Sequence, residues 1–217
     1  MLYEKINCPL CFKAQSRKIL YHEKLNRDFY QCECCALVFV PRDQLLKKDE
    51  EKTRYRFHEN QIRSKGYEKF LRRLIEPIVS LHQNEDMGLD YGEGHYPMLR
   101  EILKDEGFCD VDGYDLYFNP VNLENKKYNF ITCSEAIEHF NNPGSEVERI
   151  SKLLLKGGTF VVSTGLLSDD IDFKSWHYIT DPTHVNFFSL KTFEWLASSY
   201  KFELIETKND LVILKKE

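Results

Sequence analysis

The stretch that ends at Asp115 combines two acids with a glycine turn. Asp90 lies near the end of a short predicted strand, Gly92 and Gly94 follow at alternate positions, and a predicted helix begins near Pro97. A second predicted strand then ends in Asp115. In an α/β fold, glycines let a ligand approach the backbone, a helix N-terminus offers free N–H groups, and a later carboxylate can bind two ribose hydroxyls. The pattern therefore predicts a site for a nucleoside-containing ligand.

Two such ligands compete for this pattern, a dinucleotide and S-adenosylmethionine. The dinucleotide fingerprint requires a third glycine three residues after the second, and Pro97 occupies that position. A carboxylate at Asp90 would repel a pyrophosphate, but it suits the cationic, amino-acid end of S-adenosylmethionine. The charge argument therefore favours the methyl donor. With Asp90-x-Gly92-x-Gly94 followed by Asp115, the sequence resembles the class I S-adenosylmethionine-dependent methyltransferases.

Three later segments resemble the same family in the same order. They are residues 128–140, residues 153–162 with a Gly-Gly turn, and residues 181–189 ahead of the last predicted helix. The resemblance covers residues 86–217 and implies S-adenosylmethionine as the cofactor. The cofactor contacts predicted on this basis are Asp90, Tyr91, Gly92, Gly94, Asp115, Leu116, Ser134 and Glu135, together with Tyr55, His58 and Asn60 ahead of the domain. For the last three residues, helix capping and surface packing are an equally good explanation.

Cysteines near the N-terminus form two pairs whose spacing suits a metal ion. Cys8 with Cys11 and Cys32 with Cys35 are CxxC knuckles separated by twenty residues, which is enough for a β-hairpin. The arrangement resembles the zinc ribbons attached to several methyltransferase groups. It predicts a structural zinc ion that supplies the folding energy of the small hairpin. Cys34 offers a competing CxC pairing, but Cys35 repeats the first knuckle; the alternative is an ordinary core with reduced cysteines.

Several positions depart from the patterns of these families. Tyr96 replaces the usual third glycine, and Asn129 stands where an aspartate is common. Only residues 116–127 separate two predicted strands, so the family's third strand and its helix must be very short or missing. Phe12 and Ala36 follow the knuckles, where glycine is frequent. The lack of glycine after the knuckles counts against a ribbon, whereas Tyr96, Asn129 and the short third-strand region motivate an alternative function, a lapsed enzyme that serves as a zinc-ribbon adaptor.

The hydrophobic pattern predicts alternating strands and helices. Strands are expected near 87–91, 110–114, 128–134, 158–164, 202–208 and 210–215, and helices near 61–82, 97–106, 144–155 and 190–200. This order predicts an α/β fold with a Rossmann-like, mostly parallel sheet, an antiparallel C-terminal hairpin and a small N-terminal zinc-ribbon hairpin. We expect a zinc-ribbon module over 1–42, a charged linker and a lid helix over 43–85, and a methyltransferase domain over 86–217.

The predicted loop over residues 165–188 is too long for a mere connection. His184 in this loop and His139 after an earlier strand are candidate general bases, because histidine has a suitable pKa. Tyr178 is a third catalytic candidate that could shape the acceptor site. Structural hydrogen bonds or capping would explain both histidines about as well. The acids and histidines could also bind a catalytic metal, but no HxxxH or HxH spacing supports that interpretation.

Composition and charge limit the remaining function classes. Residues 1–85 carry 17 Lys/Arg against 12 Asp/Glu, whereas residues 86–217 carry 13 against 23. A basic ribbon could bind RNA, although a solvated surface explains the same charges. No apolar run approaches a membrane span, and the opening residues lack an export signal, so we expect a cytoplasmic protein. The sequence thus favours methyl transfer to a small molecule, with an RNA methyltransferase or a binding adaptor as alternatives.

Overall fold

The computed structural model describes residues 6–56 and 65–217, and two sheets organise them. The strands are β1 (Ser16–His22), β2 (Arg27–Cys32), β3 (Val38–Phe39), β4 (Gly88–Tyr91), β5 (Val111–Tyr114), β6 (Tyr128–Ser134), β7 (Leu154–Ser163), β8 (Asn186–Phe187), β9 (Phe202–Lys208) and β10 (Leu211–Lys216). The helices are α1 (Lys48–Arg56), α2 (Lys65–Leu81), α3 (Met98–Asp105), α4 (Pro143–Leu153) and α5 (Leu190–Tyr200). None of the described helices is both long and apolar enough to cross a bilayer.

The larger sheet has the order β5-β4-β6-β7-β10-β9. Strands β5, β4, β6 and β7 are parallel, and β10 pairs antiparallel with both β7 and β9. The predicted fold class is therefore confirmed, including the C-terminal hairpin. No strand forms over residues 115–127, all of which are described, so the family's third strand is missing as the short spacing predicts.

Helices cover both faces of the larger sheet because its strands are apolar on both sides. Along β7, Val161 packs with the apolar faces of α2 and α3, whereas Phe160 and Val162 pack with residues of α4 and α5. Alternate residues of a strand point to opposite faces, so one strand contributes to both layers. The result is a three-layer arrangement whose parallel strands end at one common edge.

The smaller sheet contains the predicted hairpin and one strand that the sequence analysis missed. Its strand order is β1-β2-β3-β8. Strand β8 pairs antiparallel with β3, with Phe187 opposite Val38 and Asn186 opposite Phe39. Two residues from the predicted methyltransferase domain thus complete the ribbon sheet. The domain boundaries near residues 42 and 85 stay a prediction.

Helix α1 lies within the predicted charged linker, where the sequence predicted no helix. The segment lacks an apolar face, so no hydrophobic period indicates a helix. Three acids, Asp49, Glu50 and Glu51, occupy its first turn, where the positive end of the helix dipole favours them. The predicted lid helix corresponds to α2, which packs mainly on α3 and the sheet through Leu71 and Ile78.

Candidate active site

A cavity of about 730 Å³ opens at the carboxyl ends of β4, β5 and β6. This is the edge at which parallel α/β sheets bind ligands, and the volume suits a cofactor-sized molecule. The structure brings the following predicted contacts to its wall: Tyr55, Tyr91, Gly92, Gly94, Asp115, Leu116, Ser134, Glu135, His139 and His184. His58 and Asn60 lie outside the described residues.

The glycine turn after β4 forms the floor of the cavity. Gly92 and Gly94 have φ angles of 89° and 72°, in the left-handed region that disfavours other residues. A Cβ atom added to Gly92 would lie 2.5 Å from the Cβ of Ala136, whereas nothing lies within 4 Å of one added to Gly94. Gly92 is therefore required for both conformation and close packing, and Gly94 for conformation alone.

Asp115 lies beside this turn with its carboxylate already ordered. Its Oδ1 accepts hydrogen bonds from the backbone N–H groups of Tyr117 (2.7 Å) and Phe118 (3.0 Å), and its Oδ2 accepts one from Gly94 (3.1 Å). Each carboxylate oxygen has two acceptor positions, so Oδ2 retains capacity for a ligand hydroxyl. The predicted ribose-binding acid is thus preorganised at the cavity.

Tyr96 replaces the usual third glycine without blocking the turn. Its hydroxyl donates to Glu101 on α3 over 2.9 Å, and its ring packs on the cluster formed by α2 and α3. Both Gly92 and Gly94 still line the cavity. Tyr96 therefore adds to one wall of the cavity while the glycine floor stays accessible.

Asp90 does not line the cavity, contrary to its predicted cofactor contact. Its side chain is buried, and Oδ1 accepts a hydrogen bond from the Thr132 hydroxyl (2.9 Å). Burial raises the pKa of Asp90 to about 7, against the opposing effect of that hydrogen bond. The acids that do line the wall include Asp115, Glu135 and Glu146. The carboxyl groups at the cavity wall therefore belong to these neighbours and not to Asp90.

Glu51 on α1 is a site residue that the sequence analysis missed. It is only 6% exposed and accepts hydrogen bonds from the hydroxyls of Tyr55 (2.9 Å) and Tyr117 (2.7 Å). The Asn141 amide donates to it over 3.4 Å. These contacts attach α1 to the cavity wall. A glutamate within a charged run resembles a solvated surface residue, so the local sequence carried no signal of this role.

The two candidate bases lie together at the cavity wall, with ring centroids 4.8 Å apart. The Nδ1 atom of His139 lies 3.0 Å from the Thr183 carbonyl oxygen, and that of His184 lies 2.7 Å from the Tyr178 carbonyl oxygen. A carbonyl oxygen can only accept, so each Nδ1 carries a proton. In the neutral ring, Nε2 then has the lone pair that can accept a proton or bind a metal.

Tyr178 lies behind the cavity wall, and its predicted catalytic role is not supported by its position. Its hydroxyl donates to Glu138 Oε1 (2.6 Å) and lies 3.2 Å from Glu135 Oε2. Burial and these two carboxyl groups raise the pKa of Tyr178 well above its usual range, so the phenol stays protonated. Burial also raises the pKa of both glutamates. Tyr178 therefore acts by positioning Glu138 and Glu135.

The four predicted metal ligands form one buried cluster in the ribbon. The sulfur of Cys8 lies 3.5 Å from that of Cys35, and the sulfur of Cys11 lies 3.4 Å from that of Cys32. All four sulfurs lie within 4.8 Å of one another. A tetrahedral zinc ion with Zn–S bonds of about 2.3 Å separates its thiolates by about 3.8 Å, so the cluster fits this ion. Cys34 is exposed and lies outside the cluster.

The residues after the two knuckles adopt the backbone conformation that usually requires glycine. Phe12 and Ala36 have φ angles of 61° and 60°, and their N–H groups donate to the carbonyl oxygens of Cys8 (2.9 Å) and Cys32 (3.0 Å). The two knuckles thus share one geometry. Phe12 and Ala36 adopt this conformation at a cost in backbone strain. The lack of glycine, which counted against a ribbon in the sequence, therefore does not prevent the knuckles from forming.

Arg27 connects the ribbon to the cavity wall. This buried residue of β2 donates hydrogen bonds to the carbonyl oxygens of Pro182 and His184, the latter over 3.2 Å. Burial lowers the pKa of its guanidinium, although nearby Asp181 opposes that effect. The ribbon therefore helps to hold the loop that carries His184.

A family described as a methyltransferase domain matches residues 59–207, which is more than half of the chain. The chain belongs to this methyltransferase family. The resemblance to class I S-adenosylmethionine-dependent methyltransferases is thereby confirmed, and the clustered cysteines are consistent with the zinc module. No curated protein sequence matches the chain.

Two solved structures show the same fold as this methyltransferase. One is a chain from a complex that contains the Haloferax volcanii Trm112 methyltransferase activator; it is 13% identical, with a TM-score of 0.56, and the match covers 78% of this chain and 99% of that chain. The other is the Burkholderia thailandensis 1,6-didemethyltoxoflavin-N1-methyltransferase with bound 1,6-didemethyltoxoflavin and S-adenosylhomocysteine. It is 15% identical, with a TM-score of 0.54, and the match covers 83% of this chain and 95% of that chain.

Proposed function

We propose that this methyltransferase transfers a methyl group from S-adenosylmethionine to a small-molecule acceptor. The observation that carries the proposal is the open cavity in which the glycine turn and the ordered Asp115 carboxylate meet. The turn gives a ligand access to the backbone at Gly92 and Gly94, and the carboxylate accepts hydroxyl hydrogen bonds. Membership of a methyltransferase family supports the same chemistry.

Each part of the cavity has a role in this proposal. The turn at Gly92 and Gly94 holds the methionine end of the donor, and Asp115 binds the ribose hydroxyls. Glu146, which lines the same wall, supplies negative potential for the cationic sulfonium. Methyl transfer is an in-line displacement, so the residues contribute mainly by holding donor and acceptor in alignment.

The walls favour a compact acceptor over a macromolecule. Helix α1 closes one side of the cavity through the buried Glu51, and the loop anchored by Arg27 closes another. An acceptor must therefore enter the space beside the rings of His139 and His184. A single nucleophilic group on a small molecule fits that space, whereas a folded RNA would have to insert a protruding group.

Calorimetric titration with S-adenosylmethionine and S-adenosylhomocysteine tests donor binding. Asp115→Asn removes the charge that strengthens the ribose hydrogen bonds, which are worth about 1.5–3 kcal/mol, so we expect affinity to fall about ten- to hundredfold. Asp110→Asn is the matched control, because Asp110 is exposed at the opposite end of the same strand. Absence of binding at millimolar ligand in the folded, zinc-loaded protein would favour the adaptor alternative.

Transfer of a labelled methyl group to fractionated cell extract tests the acceptor class. We expect the label in the small-molecule fraction. Label in RNA, together with RNA binding that weakens steeply with salt, would contradict the proposal and support the RNA methyltransferase alternative.

A further inference from the structure

We propose that Glu138, His139 and His184 bind one divalent first-row transition metal ion at the edge of the cavity. One carboxylate oxygen of Glu138 and one nitrogen from each ring lie within 4.8 Å of one another. Two imidazoles and a carboxylate form a mixed nitrogen and oxygen ligand set that suits such ions. The sequence offers no familiar metal spacing here, because His184 lies far along the chain from the Glu138-His139 pair.

The orientation of the two rings supports metal binding. Each Nδ1–H faces a backbone carbonyl, that of Thr183 for His139 and that of Tyr178 for His184. Metal-binding histidines commonly use one ring nitrogen in this way, which orients the ring and directs the other nitrogen to the metal. The Nε2 atom of His139 lies 4.0 Å from Glu138 Oε1, so its lone pair lies next to the carboxylate.

The charge of the buried glutamates is a second, independent observation. Glu138 is completely buried, and its oxygens accept hydrogen bonds from the neutral hydroxyls of Tyr178 (2.6 Å) and Thr164 (3.0 Å). In the part of the chain that the structure describes, no lysine or arginine forms an ion pair with Glu138 or Glu135. A buried carboxyl group without a cationic partner keeps its proton unless it coordinates a metal. A divalent ion at the cluster would take the place of that proton on Glu138.

Binding requires a modest contraction of the cluster. Metal–nitrogen bonds of about 2.1 Å place adjacent ligands about 3–3.5 Å apart, so the three side chains must approach the ion by about 1 Å. Three protein ligands leave coordination positions open, and both rings border the cavity. An acceptor oxygen can therefore bind the ion from the cavity.

This site narrows the acceptor to a molecule with a hydroxyl group, an extension that rests on the proposed methyl transfer. A bound divalent ion acts as a Lewis acid and lowers the pKa of a coordinated hydroxyl. The O–H proton leaves to water, and an oxygen lone pair forms the new bond to the methyl carbon. The carbon–sulfur bond breaks with its electron pair on sulfur, which releases neutral S-adenosylhomocysteine.

Titration of the zinc-loaded protein with Mn²⁺, followed by electron paramagnetic resonance, tests the site. Mn²⁺ prefers oxygen and nitrogen ligands, so the thiolate cluster does not compete for it. We expect one bound Mn²⁺, and an affinity at least about tenfold lower in His139→Gln and in His184→Gln. His177→Gln is the matched control, because this exposed histidine lies in the same loop outside the cluster. Equal Mn²⁺ binding in all four proteins, or no saturable binding, would overturn the proposal.

Pulsed resonance of the wild-type complex gives a second measurement that does not depend on variants folding. We expect hyperfine coupling from two imidazole nitrogens, and absence of that coupling would also overturn the site. S-adenosylhomocysteine affinity, measured separately, distinguishes the two proposals. Mn²⁺ binding without donor binding would refute the methyltransferase function alone, and donor binding without Mn²⁺ binding would refute the metal site alone.

Discussion

The contrast between Gly92 and Gly94 leads to a quantitative prediction about the cavity floor. Both residues have positive φ angles, so an alanine at either position costs about 1–2 kcal/mol of backbone strain. Only at Gly92 does the new Cβ meet another atom, the Cβ of Ala136 at 2.5 Å, well inside a normal carbon contact of about 3.5–4.0 Å. Such overpacking costs about 1–3 kcal/mol more. We expect Gly94→Ala to lose about 1–2 kcal/mol and Gly92→Ala about 2–5 kcal/mol of unfolding free energy.

A double-mutant cycle separates the steric cost from the conformational cost. Ala136→Gly removes the opposing methyl group and by itself loses about 0.8 kcal/mol of buried apolar contact. In Gly92→Ala/Ala136→Gly the clash is absent, so the combined loss should fall short of the sum of the single losses by about 1–3 kcal/mol. Urea unfolding of the zinc-loaded proteins, followed by tryptophan fluorescence, measures all of these free energies.

The same variants report on the cavity through S-adenosylhomocysteine affinity. Gly92→Ala displaces the segment that carries Ala136 and Glu135, so we expect weaker binding that the second substitution partly restores. Equal destabilisation by Gly92→Ala and Gly94→Ala, or strict additivity in the cycle, would refute the close approach of the two segments.

Three further predictions concern the ribbon and the buried acid. Metal analysis should find about one zinc ion per chain. Cys35→Ser should lose the zinc ion and unfold the ribbon, whereas Cys34→Ser should retain it. Equal zinc content in the two variants would contradict the assigned ligands. Ala36→Gly relieves a positive φ and should raise the unfolding free energy in urea by about 1 kcal/mol, so an unchanged or lower value would count against the strained knuckle. Burial raises the pKa of Asp90 from 3.8 to about 7, so this group lowers stability progressively as pH rises from about 4 to 7. Asp90→Asn should therefore lose less unfolding free energy than the wild type between pH 5 and pH 8, by about 1.4 kcal/mol for each pH unit below the folded-state pKa of about 7. Identical pH profiles of unfolding free energy for Asp90→Asn and the wild type would exclude this effect.

Much of the fold was predictable because its signals are local. Apolar periodicity identified the strands of the larger sheet within a few residues, and β6, β9 and α5 have the predicted bounds. The exception is β7, which was predicted to begin near residue 158 and begins at Leu154. Its first residues pair irregularly with β6, and the regular register starts at Thr159. Helix α1 was missed for the opposite reason, since hydrogen bonds to Glu51 hold it and no apolar face does.

The candidate site was predictable only in part. Residues next to strand ends, such as Gly92 and Asp115, were placed correctly at the cavity because a parallel sheet collects its strand ends at one edge. Asp90 was not, because the residue types alone do not show whether a carboxyl group near a strand end reaches the ligand edge or bonds to the neighbouring strand. Its carboxyl group lies under the turn beside Thr132.

The sequence by itself determined the two cysteine knuckles, the glycine turn and the alternation of strands and helices. These are patterns of residue type over short spacings, which limit local backbone conformation and ligand chemistry. The tertiary structure decided that β8 completes the ribbon sheet, that Arg27 holds the loop of His184, and that this histidine meets Glu138. Those contacts join residues far apart in the chain, and they arise only when the packing of both sheets brings the segments together.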